Sequence, residues 1–352
     1  MDSLKRAGIA VPGMAVPRWK AEGGSILDVI RDHHGGETRY PLVRPSPSAA
    51  ATAALRKDIR QVAPSFAAFV DQLGQAQEGH CGVFIAQLGL DALDTNSRAM
   101  LAYAVGICMG EPTATDMHRV IWDVKPRHTE AGYFSTFSET DQEAAYHTDT
   151  QYYPEPEDAF FLYTIEAARC GGGWSQACDA RALRADLERS AAWVSDVLAN
   201  KPLPFRVPTA FMTTNEPGAV QATIAPVFGD RPFVRYRRDT LEDGLRHFPE
   251  YGDADVYRAL DEFEERLSTC RYAAEFFMPR DSLLLIDNHR ALHARTRFYD
   301  QARHLLRIRI HKESVRSAAP YELVTRTQAR RAMAAAMEPF QATDHAEKLT
   351  YL

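Results

Sequence analysis

The amino-acid sequence predicts a mainly β fold with α decoration, an antiparallel sandwich or barrel carrying helices. From Met117 onward, short apolar runs of strand length recur with turn residues between them. Helical spacing is concentrated in the N-terminal part and in two later interruptions. The composition, 45% hydrophobic and 25% charged over 352 residues, suits a globular protein with a sizeable core.

Residues 1–48, rich in Gly and Pro and ending in Pro45-Ser46-Pro47-Ser48, read as an irregular lead-in. From Ala49 to about Ala76, Leu55, Ile59, Val62, Phe66, Phe69, Val70 and Leu73 recur mostly at spacings of three and four. That spacing predicts an amphipathic helix, broken near Pro64. Gly82 to Ile85 reads as a short buried strand, and Ser97 to Cys108 as a helix stopped by Gly110-Glu111-Pro112. The strand-like runs are Arg119–Val124, Ala144–Thr148, Phe160–Ile165, Trp174–Cys178, Phe205–Phe211, Val220–Ile224, Phe233–Tyr236, Ala273–Phe277, Ser282–Ile286 and Leu305–Ile310. Helices are expected over Ala180 to about Asn200 and Val256 to Leu267, and a peripheral one near the C-terminus, about 321–340. Residues 49–352 therefore read as a single domain.

The net charge of −6, with no long basic stretch, makes nucleic acid a poor partner. No run of eighteen apolar residues occurs, so no transmembrane helix is expected. Five cysteines without CxxC spacing argue against a disulfide framework or structural zinc and fit a reducing, cytoplasmic setting. A signal peptide is not expected, because Pro12, Gly13 and Pro17 interrupt the apolar run at Ala7–Val16.

Among twelve histidines, His33, His34, His128, His247 and His345 sit in polar surroundings and read as surface residues. His147 differs because Asp149 follows it by two positions. On a strand such residues project from one face, so an imidazole and a carboxylate can reach one metal. A distant histidine would complete a two-His-one-carboxylate set, which leaves three open positions on Fe(II). His293 qualifies, within Asn288-His289-Arg290-Ala291-Leu292-His293-Ala294-Arg295-Thr296. Beyond it, Arg303, Arg307 and Arg309 alternate with aliphatic residues, at 10, 14 and 16 positions after His293.

These two blocks resemble the taurine dioxygenase / clavaminate synthase superfamily of 2-oxoglutarate-dependent oxygenases. The likeness covers roughly residues 115–312. It implies a double-stranded β-helix (jelly roll, cupin-like) core over that range, with iron held by His147, Asp149 and His293. It also implies O₂ and 2-oxoglutarate as co-substrates. The distal carboxylate of 2-oxoglutarate would be bound by Arg307, with Arg303 as the alternative. Ser175, in Gly171-Gly172-Gly173-Trp174-Ser175, stands where the family carries a threonine that helps hold 2-oxoglutarate, and Trp174 replaces its aspartate. The expected reaction is hydroxylation of a small amino-acid-derived metabolite, free or carrier-tethered, with desaturation, epoxidation or cyclisation as alternatives. Asp149 occupies the position that a halogenating relative leaves open for chloride. Phe134 to Ser138, Tyr152-Tyr153 and Arg235 to Arg238 are candidate pocket residues, and His289 is expected to serve structure. A zinc hydrolase or a non-enzymatic binding barrel is the competing class, and the arginine strand argues against both.

Overall fold

The computed structural model describes residues 2–115, 118–127, 136–214, 216–229, 233–312 and 321–327. His128, Phe134, Ser135, His345 and most of the expected C-terminal helix lie outside the described residues.

The strands are β1 (Ile9–Ala10), β2 (Gly82–Ile85), β3 (Glu111–Pro112), β4 (Trp122–Val124), β5 (Ala144–His147), β6 (Ala159–Glu166) and β7 (Ser175–Asp179). After them come β8 (Leu203–Arg206), β9 (Ala219–Ala225), β10 (Ala273–Phe276), β11 (Leu283–Asp287), β12 (Ala291–Arg295), β13 (His304–His311) and β14 (Glu322–Thr327). The helices are α1 (Asp2–Arg6), α2 (Trp19–His33), α3 (Ala49–Val62), α4 (Pro64–Gln77), α5 (Thr95–Met109), α6 (Ala180–Ser190), α7 (Ala192–Asn200), α8 (Arg238–His247) and α9 (Ala254–Ser268).

Two sheets build the core. One runs β1-β2-β11-β6-β13-β3, with β4 also paired to β13; the other runs β10-β7-β12-β5. Apart from the parallel β1–β2 pair, their ladders are antiparallel. Between the sheets lie Phe84, Trp122, Phe160, Leu284 and Leu305 from the first and Ala177, Phe276 and Ala291 from the second. This is the jelly-roll core that the family resemblance implied, and it fits the antiparallel sandwich or barrel predicted from the strand-like runs.

Residues of alternate parity serve the outer layers, as the period of two requires. Phe161, Leu283, Leu285, Leu306, Ile308 and Ile310 leave the first sheet to pack on α2–α5. Cys178 and Leu292 leave the second to pack on α6–α9. A third sheet, β14-β9-β8, flanks this helical layer.

Four differences from the sequence-based expectation have local causes. The lead-in is not irregular: α2 buries Trp19, Ile26 and Ile30 despite Gly23-Gly24 within it. Tertiary burial outweighs the roughly 1 kcal/mol helix penalty of each glycine. The segment Ala180–Asn200 is two helices, interrupted at Ala191 (φ −151). Phe233–Tyr236 forms only an isolated bridge through Val234, and a helix, α8, follows from Arg238. The expected C-terminal helix is strand over Glu322–Thr327, paired along its length with β9.

Candidate active site

The inner face of the four-stranded sheet carries the chemistry. On β12, Ala291 faces the inter-sheet core and Leu292 the outer helices, so His293, two residues on from Ala291, also faces inward. His147 is its direct register partner on β5. Asp149 lies just past the end of β5, in a turn whose next residue, Thr150, has φ +52.

Nε2 of His147 and Nε2 of His293 each lie 3.6 Å from Asp149 Oδ1. That is too long for a hydrogen bond. One donor atom from each of the three residues lies within 4.8 Å of the others, the spacing of ligands around a single ion. His147 Nδ1 is 2.8 Å from the Ala145 carbonyl, which fixes the ring with Nε2 facing the cluster. Burial, then His293, pushes the His147 pKa down to about 4, so this imidazole is a neutral ligand at ordinary pH. Burial acts to raise Asp149, but Arg307 and Arg309 outweigh it and hold the carboxyl well below the usual range. Two imidazoles and one ionised carboxylate are the donor set that suits a non-haem Fe(II) with open positions.

Asn288 clamps the Asp149 backbone from both sides. Its Oδ1 accepts from Asp149 N at 2.7 Å, and its Nδ2 donates to the carbonyls of Asp149 (3.0 Å) and Glu157 (2.9 Å). Sequence reasoning quoted this residue without giving it work. Its signal was the uncharged amide before the histidine run, whose two-sided hydrogen bonding suits it to bracing a turn.

The three strand arginines are buried, so they are not solvent-facing alternates of an edge strand: Arg303 and Arg309 are each 4% exposed and Arg307 7%. Arg307 Nη1 and Arg309 Nη2 both lie 3.0 Å from Asp149 Oδ2. Arg303 is set apart. Its guanidinium lies over Phe298 at 4.9 Å, and its Nη1 is buried with no hydrogen-bond partner among the described residues. Burial and the nearby Arg295 push its pKa down to about 9.

Ser175 begins β7, opposite Arg295 and two residues from Ala177, which is opposite His293. Two glycines before it allow close approaches, Gly172 to the Arg297–Phe298 backbone and Gly173 to the Arg303 side chain. A Cβ on Gly172 would stand 2.2 Å from the Arg297 carbonyl; Gly173, at φ +74, would place one 3.1 Å from Arg303 Nε. Trp174 packs on Phe277 and donates to the Gly171 carbonyl, bracing the turn in place of a carboxylate.

The remaining candidates separate. Phe137 meets the His147 ring edge-on at 4.8 Å, and Arg237 lies over Phe137 at 3.9 Å while pairing with Asp239. Tyr152 is core, stacked on Phe211 at 5.6 Å. Arg235 is wholly buried, donating to the carbonyls of Gln151, Tyr153 and Pro154, and so cannot serve as a pocket cation. Arg238 is engaged with Glu242 and Asp261. His289 packs on Phe233 and contacts the Pro156 carbonyl, outside the ligand cluster.

A jelly roll with two histidines and a carboxylate gathered on one inner wall defines the scaffold of a non-haem iron oxygenase. The family described as taurine catabolism dioxygenase TauD, TfdA family matches residues 42–309, about three quarters of the chain. The chain belongs to this family. It is a non-haem iron dioxygenase whose metal is Fe(II) and whose co-substrates are 2-oxoglutarate and O₂. No curated protein matches the sequence. Among solved structures, an asparagine oxygenase in complex with Fe(II), 3-hydroxyasparagine and succinate is similar, with a TM-score of 0.60 and 15% identity over 87% of this chain and 93% of that one. The non-haem iron oxygenase OrfP in complex with Fe and α-ketoglutaric acid is similar with a TM-score of 0.57 and 16% identity, over 88% and 95%. No helix among the described residues is long and apolar enough to cross a membrane.

Proposed function

We propose that the chain hydroxylates a free amino acid or a close derivative of one, with iron held by His147, Asp149 and His293. The observation that carries this reading is the convergence of two Nε2 atoms and one carboxylate oxygen on the inner wall of the jelly roll. When bound, iron and 2-oxoglutarate supply the oxidising equivalent from O₂, and 2-oxoglutarate leaves as succinate and CO₂. The protein's own groups hold and orient. His147 and His293 each present Nε2, and Asp149 one oxygen.

We assign the distal carboxylate of 2-oxoglutarate to Arg303 ahead of Arg307, with Ser175 beside it. Arg303 has a buried, unpartnered Nη1 and stands against the glycine turn that leads into Ser175. Arg307 is engaged by Asp149. A dianion entering beside the metal would supply the counter-charge that Arg303 lacks among the described residues.

The amino-acid class is supported by the asparagine oxygenase and by OrfP, which is described with 3-hydroxy-L-arginine. Residues 49–352 are proposed to act as one catalytic unit, in the cytoplasm. The test is succinate release from the purified protein given Fe(II), 2-oxoglutarate and each free proteinogenic amino acid, set against the same amino acids as carrier-protein thioesters. Amino-acid-dependent succinate that disappears in His293→Ala is the expected result. Stimulation by carrier thioesters alone would replace the free substrate with a tethered one. No stimulation by either would remove the amino-acid class.

A further inference from the structure

Asp149 has two carboxylate oxygens, and the fold treats them differently. Oδ1 faces His147 and His293. Oδ2 faces away and accepts from Arg309 Nε at 3.1 Å and Nη2 at 3.0 Å, with Arg307 Nη1 also at 3.0 Å. The third nitrogen of Arg309, Nη1, donates to Thr115 Oγ1 at 3.3 Å. Thr115 in turn donates to Glu157 Oε1, as does Thr113 at 2.9 Å. Glu157 Oε2 accepts the Thr150 hydroxyl at 2.6 Å, and Thr150 is the left-handed residue that directly follows Asp149. Glu157 is 1% exposed. The chain of contacts therefore leaves Asp149 through its side chain and returns to it through its backbone.

We propose that Arg309, oriented by Glu157 through Thr115, is a positioning residue that keeps Asp149 a one-oxygen metal ligand. The proposal rests on the three-ligand reading given above. An aspartate free to rotate can close on a metal with both oxygens and take up a coordination position. 2-Oxoglutarate needs two positions and O₂ a third, so a second aspartate oxygen would displace one of them. Two nitrogens of a planar fork on the outer oxygen oppose that rotation, because closing the carboxylate would break both hydrogen bonds in a buried setting. Arg307 Nη1 adds its charge at the same oxygen, and Arg309 supplies the two-nitrogen fork. Lysine at position 309 keeps the charge but not the fork.

The experiment is Co(II) titration of wild type, Arg309→Lys and Glu157→Gln, reading the dissociation constant and the visible d–d spectrum before and after 2-oxoglutarate. Melting of the metal-free proteins controls for folding. Arg309→Lys is expected to bind Co(II) roughly 10–100-fold more weakly, the usual effect of losing a group that orients a ligand. Its d–d bands should shift and respond less to 2-oxoglutarate, while its metal-free melting temperature stays close to wild type. Glu157→Gln should change in the same direction by less. A folded Arg309→Lys with wild-type affinity and spectrum overturns the proposal. If that variant does not fold, a wild-type spectrum in folded Glu157→Gln overturns it instead. Failure of the ligand reading has a different signature: wild type would bind no Co(II), or His293→Ala would bind it equally well.

Discussion

Arg303 carries a positive charge where a buried side chain ordinarily finds a carboxylate. Its Nη1 has no hydrogen-bond partner among the described residues, and burial, then Arg295, pushes its pKa down to about 9. A protein tolerates such a group at a cost in stability when a ligand supplies the missing charge. Arg303→Met should therefore show an uncommon pairing of effects. The 2-oxoglutarate requirement should rise by roughly a few hundredfold, corresponding to about 3–5 kcal/mol for a lost buried partner. The metal-free protein should melt at or above wild type, and Co(II) affinity should hold. Titrating 2-oxoglutarate against Arg303→Met and Arg307→Met decides the assignment, and a larger effect at Arg307 would reverse it. The sequence made all three arginines visible through their alternation with aliphatic residues. It could not rank them, because spacing from His293 does not reveal which guanidinium Asp149 already engages. The roles of Asn288 and Arg309 toward Asp149 were not legible for the same reason, since they depend on Asp149 lying past a strand end rather than within the strand.

At the scale of single elements, β13 does two kinds of work. One face presents Arg307 and Arg309 to Asp149, while Leu306, Ile308 and Ile310 pack on the N-terminal helices. Its last residue, His311, sits 3.5 Å from Asp158 and ends the strand with an ion pair that titrates. Burial alone would lower His311, but the Asp158 hydrogen bond, then Glu157, Asp158 and Glu155, raise it above its ordinary value. A histidine raised on folding contributes stability that is complete below the unfolded value, about 6.5, and is lost as pH rises through the folded one. His289, on the far side of Asp158, is lowered by burial and acts in the opposite direction. The comparison of wild type with His311→Gln isolates one from the other. The melting-temperature difference should favour wild type by the equivalent of about 1 kcal/mol at most near pH 5.5 and shrink above pH 6.5. A difference that stays constant or grows with pH would show that His311 acts through packing rather than charge. Period-two alternation made this strand legible, whereas α2 was not: two glycines and flanking prolines hid a helix that its buried face stabilises.

Across the whole molecule, the catalytic sheets are held to the N-terminal helical layer by apolar packing and by one buried polar knot. Asp281 has φ +68 and is 2% exposed. It accepts from the backbone N–H groups of Gly89 at 2.6 Å and Leu90 at 3.0 Å, and from the Tyr163 hydroxyl at 2.7 Å. The same hydroxyl accepts from Arg98 Nε at 2.9 Å, and Arg98, on α5, is 1% exposed. The segment after β2 and the strand β6 thus meet at one carboxylate, and the helix α5 joins them through the Tyr163 hydroxyl. Asp281→Ala would strand the donors and remove the acceptor of the Tyr163 hydroxyl to which the buried Arg98 donates. Breaking such an arrangement costs about 3–5 kcal/mol, against a total stability of about 5–15 kcal/mol. The urea midpoint should fall by that loss divided by the slope, with little change in the slope itself, since the surface exposed on unfolding is the same. Co(II) affinity of the folded fraction should not move, because the knot sits on the helix-facing side of the sheet, whereas the ligands face the interior. A loss below about 1 kcal/mol would mean that the apolar layer of Val83, Phe161, Leu285 and Ile308 suffices to hold the helices. A parallel fall in metal affinity would show that the helical layer sets the spacing of the two sheets, and through it the geometry of the site.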